Sequence, residues 1–234
     1  MTASEPRFLI LETSGRVGQV ALAEGDQVRG VRRLDEARRH ARDLAPAVKD
    51  LLDRQGWRPR DLQAVIVSRG PGSYTGLRVG LMSAKTLAYA TGCAVLAIDT
   101  FAAIARQAPD ETLRLDVLAD AQQDKVYVQR FGRPAPREGM QALSDLSIQP
   151  FSQWLAGRDK DAWVSGPGLR GHETRLPPDV PVVPADRWDP QPESLLGIGL
   201  DRYRRGERDD LWSLEPLYLR PSAAEEKWRE KHPQ

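Results

Sequence analysis

The sequence predicts an α/β protein in which antiparallel strands lead into parallel strands joined by helices. Three observations support this fold class. Short apolar segments separated by turn residues open the chain, as expected for tightly connected strands. The later runs 64–67 and 94–98 are apolar throughout, which is typical of strands buried on both faces. Helical periodicity lies between and after these two runs.

The first half of the chain can be assigned element by element. Strands are predicted over residues 8–11, 17–23, 27–34, 64–67 and 94–98, and helices over 44–55, 77–91 and from 101 to 106. In the first helix Leu44, Val48, Leu51 and Leu52 recur at the spacing of one helical face. Asp43 is expected to be its N-cap.

The resulting order, β-β-β-α-β-α-β-α, resembles the ribonuclease-H-like half of the actin and sugar-kinase superfamily. After Pro109 the chain starts over, because residues 113–119 and 125–131 are predicted to form a hairpin. We therefore expect a two-lobed, actin-like fold with a degenerate second lobe. The predicted lobes are residues 1–106 and 107–234, and about 193–234 is expected to pack back on the first.

Composition and charge exclude several classes of protein. The formal net charge of the 234-residue chain is +1, which argues against a globally electrostatic nucleic-acid or membrane binder. A single cysteine, Cys93, excludes an internal disulfide and favours a reducing compartment. With neither a leader pattern nor a spanning apolar run, we expect a cytoplasmic protein that does not enter a membrane.

A basic segment is the one local candidate for contact with RNA. It contains Arg32, Arg33, Arg38, Arg39, His40 and Arg42. Such runs are usually solvated, salt-bridged faces, and this one lacks interleaved aromatic residues for base stacking. Contact with RNA stays the alternative interpretation.

A glycine-rich loop, residues 70–76, connects a predicted buried strand to a helix N-terminus, where an anion is favoured. It is not a Walker A loop, a dinucleotide fingerprint or a nucleophile elbow. With the turn after the first strand it gives the candidate phosphate-binding residues Thr13, Ser14, Gly70, Gly72, Ser73, Thr75 and Gly76. The alternative is a structural turn, with Gly72 and Gly76 needed for the fold and Ser73 or Thr75 capping the helix.

No catalytic residue and no metal ligand are predicted. The three histidines, His40, His172 and His232, show no helical metal-ligand spacing, and no triad motif surrounds Ser73 or Cys93. Glu12 stands where actin-like ATPases keep an acidic residue near Mg²⁺. An active nucleotide phosphotransferase or ATPase, or less plausibly a peptidase, stays an alternative function.

The helix over 77–91 carries two apolar stripes and must be covered on two sides. The sheet covers one side, and a partner or the chain's own first helix covers the other. The predicted partner surface comprises Leu44, Val48, Leu51, Val79, Met82, Thr86 and Tyr89.

Several motifs together resemble the TsaB (YeaZ) family. They are residues 10–14 (ILETS), 40–46 (HARDLAP), 70–80 (GPGSYTGLRVG), 120–121 (DA) with 125–127 (KVY), and 216–220 (PLYLR). The match is dense over 8–106 and sparse afterwards. Three positions depart from the common pattern: Glu12 replaces Asp, Tyr74 replaces Phe and Gln122 replaces Arg.

The resemblance implies a non-catalytic paralogue of the transferase TsaD. Family members act with TsaD and the ATPase TsaE to transfer threonylcarbamoyl to the adenosine beside the anticodon of tRNAs that read A-starting codons. It implies no required cofactor and leaves room for ATP or ADP at the complex. The free chain would form a homodimer through the surface meant for its partner.

Overall fold

The computed structural model describes residues 5–34 and 40–219. Its first lobe is built on a five-stranded sheet in the order β3-β2-β1-β4-β5. The strands are β1 (Arg7–Glu12), β2 (Gln19–Glu24), β3 (Gln27–Arg33), β4 (Ala64–Gly70) and β5 (Ala94–Asp99). β1 pairs antiparallel with β2 and parallel with β4, and β5 is parallel to β4. The predicted antiparallel group leading into parallel strands is confirmed.

Helices cover both faces of this sheet. They are α1 (His40–Gln55), α2 (Tyr74–Thr91), α3 (Thr100–Ala105) and, from late in the chain, α6 (Pro192–Arg204). Successive side chains of a strand point to opposite faces, so Leu9 and Leu11 join the core beneath α1 and α2. Phe8 and Ile10 join a second core beneath α6. β1 is therefore buried on both faces, which explains its apolar sequence.

The second lobe repeats this plan in reduced form. Its sheet has the order β10-β6-β7-β8, with β9 also paired to β7. The elements are β6 (Arg114–Asp120), β7 (Lys125–Gly132), β8 (Gln141–Ala142), β9 (Ser147–Pro150), α4 (Phe151–Gly157), β10 (Trp163–Ser165) and α5 (Leu169–His172). β6 pairs antiparallel with β7 and parallel with β10, as β1 does with β2 and β4. The predicted two-lobed architecture with a degenerate second lobe is confirmed.

The segment after α6 runs along the first sheet. Asp209 binds the outer edge of β5, accepting from Ala97 N at 2.7 Å and donating its own N–H to Val95 O at 3.0 Å. Leu214 is buried in the core beneath α1 and α2, and Leu217 N–H reaches Arg69 O at 2.8 Å. The edge strand β5 is thereby covered rather than left open to pairing.

Two predicted helix starts were wrong. α1 begins at His40, so Asp43 lies inside its first turn and is not the N-cap. α2 begins at Tyr74, three residues before the predicted Leu77, because Ser73 caps it. In the described ranges, no helix combines the length and apolar content that crossing a bilayer requires.

Candidate functional site: the glycine loop and the exposed face of α2

The glycine loop lies directly on the turn that follows β1. A Cβ added to Gly72 would meet Ser14 O at 2.5 Å, and one added to Gly76 would meet Thr13 O at 2.0 Å. Both positions need glycine because backbone approaches backbone. The left-handed conformation lies instead at Gly70, whose φ is 119°. The structure thus brings together the two halves of the predicted phosphate site.

Ser73 is the N-cap of α2. Its Oγ accepts from Gly76 N at 3.2 Å, and its own N–H donates to Ser14 O at 2.8 Å. Thr75, the alternative cap, lies inside the helix with an exposed side chain. Ser73 therefore both caps the helix and connects it to the β1 turn by a hydrogen bond.

Glu12 fills the turn with its own carboxylate. Its Oε1 accepts from Ser14 N at 2.6 Å, from Ser14 Oγ at 2.5 Å and from Gly15 N at 3.3 Å. Backbone N–H groups clustered in this way would suit a phosphate oxygen. Here a side chain of the chain itself uses them.

Burial makes Glu12 a weaker acid than an ordinary glutamate. The side chain is fully buried, which raises its pKa from 4.5 to about 7, and hydrogen bonds from Ser14 only partly oppose the shift. The hydroxyl of Ser68 lies close enough to lower the pKa too. Among the described residues, Glu12 Oε2 and Thr13 Oγ1 are buried without a hydrogen bond of normal geometry.

The closing segment of the chain covers the outside of the glycine loop. The ring of Tyr218 stacks on Tyr74 with centroids 4.7 Å apart, and the Arg78 guanidinium lies 4.3 Å from the Tyr74 ring centre. Arg78 Nε also donates to the Tyr218 hydroxyl at 3.2 Å. Two motifs that are 140 residues apart in the sequence therefore form one contact.

The exposed face of α2 differs from the predicted partner surface in part. Met82 and Tyr89 are 59% and 73% exposed, Thr86 is exposed, and Val48 and Val79 are half-buried. Leu51 is buried in the core between α1 and the sheet, and Leu44, which is also buried, lines the groove between α1 and α2. Their depth follows from the packing of α1 on β2 and β3.

A groove of about 670 Å³ separates α1 from α2 on this side of the molecule. Its lining is largely apolar and includes Leu9, Val48, Leu52, Trp57, Met82, Thr86 and Leu87. The chain's own first helix therefore does not cover the stripe that contains Met82. Contiguous exposed apolar surfaces are typical of sites where proteins bind other molecules.

A second glycine loop escaped the sequence analysis. Residues 166–168 repeat the tripeptide Gly-Pro-Gly of residues 70–72, and they likewise connect a strand parallel to the lobe's first strand with a helix. Gly166 has a φ of 108°, and a Cβ there would meet Leu118 O at 2.2 Å. The repeated tripeptide was the signal that could have revealed it.

The other candidate groups are dispersed. Arg32 pairs with Asp50 at 3.7 Å, whereas Arg38, Arg39 and His232 lie outside the described residues. Burial raises the pKa of the half-buried Cys93 thiol. In the part of the chain that the structure describes, no three His, Cys, Asp or Glu side chains are arranged to hold a metal ion.

Comparison with known proteins agrees with this geometry. The family model for TsaD, tRNA N6-adenosine threonylcarbamoyltransferase, matches residues 19–133. The chain is 29% identical to the tRNA threonylcarbamoyladenosine biosynthesis protein TsaB of Bacillus subtilis, over 95% of this chain and 98% of that protein. It is 30% identical to TsaB of Haemophilus influenzae, over 91% and 93% of the two chains.

The crystallised YeaZ from Pseudomonas aeruginosa superposes on this chain with a TM-score of 0.78 and 28% identity, covering 92% of this chain and all of that one. Fold and site together define a two-lobed α/β protein with an exposed apolar helix face. The chain belongs to the TsaB family.

Proposed function

We propose that the chain acts in the cytoplasm as the non-catalytic partner of the transferase TsaD, in forming threonylcarbamoyladenosine beside the anticodon of tRNAs that read A-starting codons. The observation that carries the proposal is the uncovered face of α2 beside an apolar groove. Membership of the TsaB family supports the pathway, since its relatives are named for that biosynthesis.

The choice of TsaD as partner rests on similarity between the two chains. The TsaD family model matches residues 19–133, and this part of the chain includes α1 and α2. TsaD is thus expected to carry a comparable helix pair, and two similar surfaces can pair about a pseudo-twofold axis. The same geometry would let two copies of this chain associate when TsaD is absent.

The absence of catalysis is proposed from the β1 turn. The N–H groups of Ser14 and Gly15 already bind Glu12, and that of Ser73 binds Ser14 O. These donors are therefore not free to hold a phosphate of ATP. We expect the purified chain to show no ATP hydrolysis above that of Glu12→Ala or Thr13→Ala variants, and nucleotide, TsaE and tRNA to act at the level of the complex.

The test is the variant Met82→Asp, with Leu143→Asp as its matched control. Both residues are exposed apolar side chains, at 59% and 63%, but Leu143 lies in the second lobe. A charge buried at an interface without a counter-charge is strongly destabilising to the complex. Met82→Asp should abolish co-elution with the cognate TsaD on size exclusion and keep the circular dichroism of the free chain, and Leu143→Asp should change neither.

Three results would contradict the proposal. If the wild-type chain does not co-elute with TsaD, the proposed partnership is wrong. If Met82→Asp co-elutes normally, the proposed location of the partner surface is wrong. If Met82→Asp loses the folded state, Met82 is needed for the core and not for a partner.

A further inference from the structure

A large aromatic side chain stands in water beside the α2 surface. Trp212, from the segment after α6, is 75% exposed, and its ring meets that of Tyr89 edge to face at 5.9 Å. Tyr89 is itself 73% exposed. Leaving two such rings in water forgoes much of the burial that aromatic residues gain in a folded chain.

The turn that presents Trp212 is held firmly. Asp210 Oδ1 accepts from Trp212 N at 3.1 Å, from Ser213 N at 2.8 Å and from Ser213 Oγ at 2.8 Å. On one side of the turn Asp209 binds the edge of β5, and on the other Leu214 enters the core. The indole is therefore displayed on a fixed backbone, and ordering it on binding costs little entropy.

The position of Trp212 continues the α2 surface. Tyr89 follows Met82 and Thr86 at intervals of seven and three residues, which places all three on one helical stripe. Lys85 Nζ donates to Leu214 O at 3.1 Å and joins α2 to the turn. Met82, Thr86, Tyr89 and Trp212 thus form one surface built from two distant parts of the chain.

We propose that Trp212 is an anchor residue for the TsaD partner and extends the α2 surface beyond the helix pair. This inference rests on the proposed function. Tryptophan is over-represented among the few residues that carry most of an interface's binding energy. Residue 212 lies outside the region of this chain that the TsaD family model matches, so the contact would add to the surface that the helix pair provides.

The experiment measures the Kd of purified full-length chain for the cognate TsaD by calorimetry. Trp212→Ala should raise the Kd at least about tenfold, Trp212→Phe should restore most of the affinity, and Leu143→Ala should leave it unchanged. The melting temperature of each free variant should match wild type, because both side chains are mostly exposed. Hydroxyl-radical footprinting should find Trp212 protected in the complex and Leu143 unprotected.

The outcomes separate this inference from the proposed function. Trp212→Ala with wild-type affinity, alongside Met82→Asp that loses binding, overturns the anchor and keeps the partnership. Trp212→Ala that weakens self-association in sedimentation but not TsaD binding assigns the residue to a second copy of this chain and overturns the inference. A wild-type chain without measurable affinity for TsaD overturns both.

Discussion

The two Gly-Pro-Gly loops of this molecule have equivalent places and unequal consequences. Each follows a strand parallel to the first strand of its lobe, and each begins with a glycine in the left-handed region, at φ 119° for Gly70 and 108° for Gly166. The first loop presses on the turn that follows β1, and the second presses on the last residues of β6. The helix after the first loop has 18 residues, whereas the helix after the second has four.

This difference shows that the loop and the helix have separate roles. Close backbone approach is common to both lobes, so it belongs to the architecture that the lobes share. Among the residues that the structure describes, only the first lobe has a long capped helix with an uncovered apolar stripe, and the partner surface is proposed there. Glycine-rich sequence at a helix start thus indicates tight packing here before it indicates a ligand.

The largest expected effect comes from adding one methyl group to either loop. Gly76→Ala would place Cβ 2.0 Å from Thr13 O, and Gly166→Ala would place it 2.2 Å from Leu118 O at an unfavourable φ. We expect each to lower the free energy of unfolding by about 3 kcal/mol, or roughly 6–12 °C in melting temperature. Gly171→Ala, with open space around it, is the control. An unchanged melting temperature for Gly166→Ala would break the equivalence of the two loops.

The acidic residues that end β1 and β6 differ in burial, and the buried one makes stability depend on pH. Glu12 Oε1 accepts from Ser14 N at 2.6 Å and Asp120 Oδ1 accepts from Gln122 N at 2.7 Å, but Glu12 is buried and Asp120 exposed. Since burial raises the Glu12 pKa from 4.5 to about 7, the folded state binds the extra proton, and stability is lost as pH rises through that window.

Chemical denaturation at several pH values measures this contribution. The free energy of unfolding of wild type minus that of Glu12→Gln should fall by about 3 kcal/mol between pH 4.5 and a pH above 7. A flat difference for Glu12→Gln would mean that the carboxyl is hydrated in solution.

The smallest effect concerns the cap that only the first loop has. Ser73→Ala removes the acceptor for Gly76 N and should cost about 1 kcal/mol, measured as a shift in the urea midpoint. Thr75 lies two residues further along the chain and is exposed, so the stability of Thr75→Ala should stay within about 0.5 kcal/mol of wild type. Equal losses of stability for the two variants would contradict the assignment of Ser73 as the cap.

Much of the fold could be predicted because its signals are local. Apolar runs such as 64–67 and the turn residues around Gly25 follow from burial and backbone preference. The starts of α1 and α2 were misplaced because Asp43 and Leu77 fit a helix's first turn as well as its boundary. Cap geometry depends on which carbonyl the loop meets, and that information is not local.

The site could be predicted only in part for the same reason. The exposed stripe of Met82, Thr86 and Tyr89 follows from helical periodicity, because the sheet covers one side of the helix. The depth of Leu44 and Leu51 depends on how closely α1 packs, which periodicity does not determine. Trp212 reaches Tyr89 across 123 residues of sequence, and no spacing rule connects them.

The comparison between the lobes is tested most directly by hydrogen–deuterium exchange of the full chain, alone and with the cognate TsaD. The account predicts slower exchange on binding over residues 79–90 and 210–213, with no change over 166–172 in the second loop and α5. Protection confined to residues 166–172, or to the second lobe as a whole, would contradict it.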